Sequence, residues 1–104
     1  MHAVVFLSLI VGSAGADTAA GERLYQANCA ACHGAELDGN GAAGAALRPT
    51  PSNFKDTLFW EGRDASSLKA SIKNGKPGTA MMSFAHLPDS QTEAIVAYLV
   101  ANKP

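Results

Sequence analysis

A chain of 104 residues has room for a single domain, and its eight basic and nine acidic side chains leave a formal net charge of -1. No basic stripe of the kind that tracks a phosphate backbone is present, which argues against a nucleic-acid-binding protein. With 47% hydrophobic residues and only two cysteines, the sequence reads as a small globular domain that disulfides alone cannot staple, so a cofactor is the natural source of a larger core.

The first feature along the chain is AVVFLSLIV, residues 3–11, an apolar run broken only by Ser8. It falls far short of the roughly 20 residues that cross a bilayer. Ala14-Gly15-Ala16 follows, a small-x-small pattern accepted by signal peptidase. The expectation is a signal peptide over 1–16 and a mature domain over 17–104, exported to the periplasm. Only Met1 and His2 precede the apolar run, where a secretory signal normally carries Lys or Arg, so a true start further upstream and an uncleaved anchor are the alternatives.

Three helices are predicted. The first runs from about Thr18 to Asn28, capped by Asp17 or Thr18, with Gly21, Leu24, Tyr25 and Ala27 on one side. The second starts after Asp64, carries Ala65, Leu68 and Ile72 at helical spacing, and stops at Asn74-Gly75 with Pro77 beyond. The third begins near Asp89 or Ser90, where Ser90 and Glu93 have capping-box spacing, and buries Ile95, Val96, Leu99 and Val100 with Tyr98 beside them. No stretch alternates with period two, which makes the domain all-α. Residues 34–62 between the first two helices form a Gly- and Ala-rich loop too long for a compact domain unless a bound group organises it.

The first helix leads into CAACH, residues 29–33. A redox dithiol calls for a C-x-x-C beside a βαβ pattern, and zinc calls for a second ligand pair; neither is present. A disulfide between Cys29 and Cys32 would close too small a loop to stabilise much. Haem attachment accounts for all three reactive residues, since the two thiols add to the vinyl groups as thioethers and His33 meets the iron. GNGAAG at 39–44 matches G-x-G-x-x-G, but no strand precedes it and the chain is too short for a dinucleotide fold. These glycines are expected to let the backbone turn around a haem edge.

Met81, Met82 and His86 are the candidates for the second axial position. The two methionines lie in PGTAMMSF, which reads as loop rather than as a packing stripe, and a loop methionine presented to the iron is the favoured ligand. His86 reads as a solvent-facing histidine. Phe54, Phe59, Trp60 and Phe84 are available to bury the cofactor, Phe54 and Phe59 chiefly as plain core. Arg48 and Trp60 are candidate partners for haem propionates.

With CAACH near the front and PGTAMMSFAHL before the last helix, residues 17–104 resemble a class I c-type cytochrome of the small bacterial monohaem kind. The resemblance implies a small cytochrome c fold, three main helices and long loops wrapped around one covalent haem c. It places Gly21, Tyr25 and Tyr98 at the positions where a glycine and an aromatic of the first helix meet an aromatic of the last. Similarity to the family phrase M-P-x-F selects Met81 over Met82, since the ligand stands three residues before Phe84; Met82 takes the place of the family's proline. Ala45 stands where many members have a proline whose carbonyl accepts from the ligand histidine.

The implied function is that of a soluble periplasmic electron carrier, not an enzyme. Cys29 and Cys32 attach the haem, and His33 and Met81 ligate its iron. Redox proteins are the expected donor and acceptor, with no small-molecule substrate, no nucleic acid, membrane contact only through partners, and a monomeric state. Two alternatives stand beside it: an electron-entry or exit module of a larger dehydrogenase or oxidase, and a haem enzyme with a labile methionine. Lys69, Lys73 and Lys76, set against Glu36 and Asp38, could steer a partner's acidic patch, or could simply be a solvated helix face.

Overall fold

The computed structural model describes residues 18–104, so the expected signal segment and the cap at Asp17 lie outside the described residues. Every regular element among them is helical, as expected. Helix α1 spans 18–28, α2 is the single turn Ala30–His33, α3 spans Ala65–Asn74 and α4 Asp89–Ala101. Two 3-10 turns, Ala42–Gly44 and Thr57–Trp60, punctuate the long loop. None of the helices among the described residues is long and apolar enough to cross a membrane.

Helix α1 packs on α4 through its smallest residue. A Cβ added at Gly21 would lie 2.8 Å from the Cβ of Tyr98, and closer still to the carbonyl oxygen of Ala94. One turn later Tyr25, completely buried, meets Tyr98 with ring centroids 5.6 Å apart and Phe54 edge-on at 6.4 Å. Its hydroxyl donates to the Gly34 carbonyl at 2.6 Å, which ties α1 to the end of α2, and burial raises its pKa. The Gly21, Tyr25 and Tyr98 contact implied by the resemblance is therefore present. Ala27, expected on the inner side, is exposed; the half-buried position is Asn28, whose amide donates to Leu24.

Helix α3 begins and ends where its local signals place it. Asp64 accepts from the Ser67 N–H at 2.9 Å while the Ser67 hydroxyl accepts from the Asp64 N–H at 3.0 Å, a reciprocal cap. Leu68 and Ile72 are buried against α4.

Helix α4 departs from expectation at its start. It begins at Asp89 with Pro88 as N-cap and no side-chain cap, so the Ser90–Glu93 capping box does not form. Glu93 instead reaches across to Lys69 at 2.8 Å, and Asp89 pairs with Lys73. Two of the three lysines considered for steering are thus bound within the domain. Helix α4 buries Thr92, Ile95, Val96, Tyr98 and Leu99, whereas Val100 is 40% exposed because it lies past the stripe that faces α3 and α1. Burial of a side chain such as Ile95, fully enclosed, is worth about 2 kcal/mol.

The loop over 34–62 packs side chains of its own into the core. Leu37, Phe54 and Trp60 are buried, and the Phe54 N–H donates to the Leu37 carbonyl at 2.8 Å, closing the loop on itself. Leu37 holds a left-handed backbone, φ 63, with its buried side chain offsetting the strain.

The tight α1–α4 crossing generates one prediction. Gly21→Ala should lower the unfolding free energy of the haem-loaded protein by about 1–3 kcal/mol in a denaturant titration, because neither the Ala94 carbonyl nor the Tyr98 Cβ can swing aside. Wild-type stability in that variant would contradict the crossing.

Candidate haem site

Cys29, Cys32 and His33 are brought onto one turn by α2. The turn closes through Cys32 and His33 N–H groups on the Cys29 carbonyl, at 3.2 and 2.9 Å. Both cysteine side chains are half-buried, and no disulfide joins them. Burial, and then the neighbouring Cys32, push the Cys29 thiol up to about 11. No group of three His, Cys, Asp or Glu side chains among the described residues is placed to hold a metal ion on its own.

The glycines of GNGAAG serve this turn. Cβ atoms at Gly41 and Gly44 would lie 2.6 Å from the Ala30 and Cys32 carbonyl oxygens respectively. They let the 3-10 turn Ala42–Gly44 lie directly on the backbone of α2. The close approach the glycines permit is thus to the backbone of the turn that carries Cys29, Cys32 and His33.

His33 is oriented by two partners. Its Nδ1 lies 3.0 Å from the Ser52 carbonyl oxygen. A carbonyl only accepts, so Nδ1 carries the proton and the lone pair sits on Nε2. The Phe54 ring stacks on the imidazole, centroids 4.8 Å apart and planes 24° from parallel. Burial lowers the His33 pKa, which favours the neutral, ligating form. The acceptor is therefore Ser52 and not Ala45, whose carbonyl receives Arg48 at 3.3 Å. The 42–45 turn is committed to the backbone of α2, and the chain reaches the imidazole only after Pro51.

Met81 comes from a separate segment after α3. Its carbonyl accepts from the Lys76 N–H at 3.0 Å, and its N–H donates to Thr79 Oγ1 at 3.1 Å, which fixes the backbone and leaves the thioether as the free group. Met81 is half-buried; Met82 is 64% exposed. The two neighbours thus have opposite environments. His86 is exposed beside the Phe84 ring.

The remaining candidates fare differently. The Trp60 indole N–H, buried, donates to the Phe54 carbonyl at 3.0 Å, so the donor proposed for a propionate is spent inside the core. Arg48 is exposed and donates to the carbonyl of Leu47 at 2.6 Å. Phe59 is half-buried, edge-on to both Phe54 and Trp60, with the Arg63 guanidinium over its face. Ser52 and the stacking role of Phe54 are not legible in the sequence. A backbone carbonyl has no residue signature, and an aromatic in a loop does not reveal which ring it will meet.

The donor set fits haem c: two half-buried thiols three residues apart, an imidazole with one nitrogen committed and one free, and a half-buried thioether. The comparisons with known proteins agree. The family described as cytochrome c oxidase, cbb3-type, subunit III matches residues 16–99. The cbb3-type cytochrome c oxidase subunit FixP of Bradyrhizobium sp. (strain ORS 278) is 32% identical over 85 residues, which make up 82% of this chain and 27% of FixP. The chain thus spans only about a quarter of that relative. Cytochrome c6 of Cyanidioschyzon merolae (strain NIES-3377 / 10D) is 37% identical over 89 residues, covering 83% of this chain and 75% of that protein. Among solved structures, cytochrome c6 from the diatom Phaeodactylum tricornutum superposes with a TM-score of 0.58 at 28% identity, over 81% of this chain and 91% of that one. Haem c, covalently held, is the cofactor of this family, and a single haem suits a domain of this size. The chain belongs to the c-type cytochromes, within the family described as cytochrome c oxidase, cbb3-type, subunit III.

Proposed function

We propose that the chain is a periplasmic one-electron carrier and not an enzyme, with haem c bonded to Cys29 and Cys32 and its iron ligated by His33 and Met81. The observation that carries this reading is the pairing of a fixed imidazole with a fixed thioether segment: His33 offers one nitrogen, and both backbone groups of Met81 are held. The haem supplies reversible exchange of one electron between ferrous and ferric iron. His33 stays neutral and keeps its orientation through Ser52 and Phe54. Met81, a soft donor, favours the ferrous state and raises the potential. His33 and Met81 together would occupy the positions on the iron that a substrate would otherwise take. Similarity to cytochrome c6 over most of its length supports a diffusing carrier. Similarity to FixP supports a second reading, in which the domain passes electrons within a larger oxidase assembly.

Attachment through both cysteines predicts that haem remains with the polypeptide in denaturing electrophoresis and acid-acetone extraction. Cys29→Ala combined with Cys32→Ala should leave little folded protein, because the cofactor contributes much of the core. Haem that extracts freely from the wild type would refute covalent attachment.

Axial ligation by Met81 predicts that Met81→Ala lowers the potential, removes the weak sulfur-to-ferric-iron charge-transfer band and admits cyanide or carbon monoxide. Met82→Ala should leave all three nearly unchanged, as its side chain faces solvent. The reverse pattern would assign the ligand to Met82.

A further inference from the structure

The segment that carries Met81 also finishes α3. The last carbonyls of a helix have no partner within it and need donors from elsewhere. At the end of α3 the Ser71 carbonyl receives the Gly75 N–H at 2.9 Å, after which the helix geometry stops. The next two carbonyls are served by the ligand segment: Ile72 accepts from the Phe84 N–H at 2.8 Å, and Lys73 accepts from the Ser83 hydroxyl at 2.5 Å. The same Ser83 oxygen accepts from the Ala85 N–H at 3.1 Å. It therefore joins the helix end to the chain on the far side of Phe84.

Gly75 makes this return possible. It adopts φ 72 and ψ -174, a region open essentially to glycine alone. Its missing side chain admits the returning segment: a Cβ there would lie 2.8 Å from the Met81 carbonyl oxygen and 2.8 Å from the Ser83 nitrogen. Of the donors that cap α3 from the ligand segment, only the Ser83 hydroxyl belongs to a side chain and can be removed without altering the backbone.

We propose that Ser83 is a positioning residue for the methionine ligand, its hydroxyl fastening the Met81 segment to the C-terminus of α3 and so setting how readily Met81 leaves the iron. This rests on the reading of Met81 as axial ligand. Ser83 is exposed and fills no core space, so its removal tests the fastening without opening a cavity. A neutral hydrogen bond of this kind changes an equilibrium by about three- to tenfold.

The test is stopped-flow binding of cyanide to the ferric holoprotein, at one pH and well below the thermal midpoint, for wild type, Ser83→Ala, Ser83→Thr and Met81→Ala. Cyanide must wait for the thioether to leave. Ser83→Ala should bind cyanide about three- to tenfold faster than wild type, while Ser83→Thr, which keeps a hydroxyl, should stay within about twofold. Met81→Ala should be fastest of all. If Ser83→Ala binds at the wild-type rate while Met81→Ala is fast, the fastening is wrong and the ligand assignment stands; a lowered thermal midpoint with no change in rate would make Ser83 merely structural and likewise overturn the proposal. Equal acceleration in Ser83→Ala and Ser83→Thr would also overturn it, by removing the role of the hydroxyl. If Met81→Ala is no faster than wild type, the ligand reading itself fails, and the proposal with it.

Discussion

An imidazole can serve an iron only if it is neutral, in the right tautomer and held still, and in this chain one hydrogen bond secures the last two conditions. The Nδ1–H of His33 on the Ser52 carbonyl leaves Nε2 as the only nitrogen with a lone pair. Burial secures the first condition by favouring the uncharged ring, and Phe54 stacked on the imidazole limits its rotation. Much of the surrounding structure exists to bring Ser52 to this place. The chain must leave α2, travel through a glycine-rich turn and come back, and each stage is fastened. Gly41 and Gly44 press the outgoing turn on α2, Tyr25 holds Gly34, and the Leu37–Phe54 bond closes the return.

The features legible in the sequence were those encoded by near neighbours. Asp64 and Gly75 bound α3 because a cap and a glycine stop act within one turn, and CAACH declares its chemistry in five residues. What could not be read depended on partners distant in sequence. Ser90 and Glu93 have capping-box spacing, yet Glu93 has a better partner in Lys69, 24 residues away and visible only once α3 and α4 pack. Trp60 looked free to donate to a propionate, and the fold gives its N–H to Phe54. Ala45 yielded to Ser52 because a carbonyl belongs to every residue, and only the path of the loop decides which one arrives.

The lysines show the same dependence in their charge. In sequence Lys69, Lys73 and Lys76 form a cluster beside the ligand segment. Folding turns two of them toward Asp89 and Glu93, where exposed pairs of this kind contribute little to stability but cancel much of the local field. Of the two readings the sequence left open, these pairings favour a solvated helix face over a cationic patch that steers a partner. On the proposed reading, the same domain serves as a free carrier or as one unit of an oxidase assembly, since the axial groups are held by contacts internal to it. The difference lies in what docks against the domain, not in how the iron is held.

On the proposed reading the Met81 thioether, and not that of Met82, lies on the iron. The most direct measurement is the methyl NMR spectrum of the ferrous protein labelled at methionine methyl groups, with Met82→Leu used for assignment. A methyl held over the haem is driven far upfield by the ring current, whereas one in solvent keeps an ordinary shift. With Met81 on the iron, one strongly upfield methyl survives in Met82→Leu, and an unshifted methyl disappears from it. Loss of the upfield signal in Met82→Leu, or no upfield methyl at all, would contradict it.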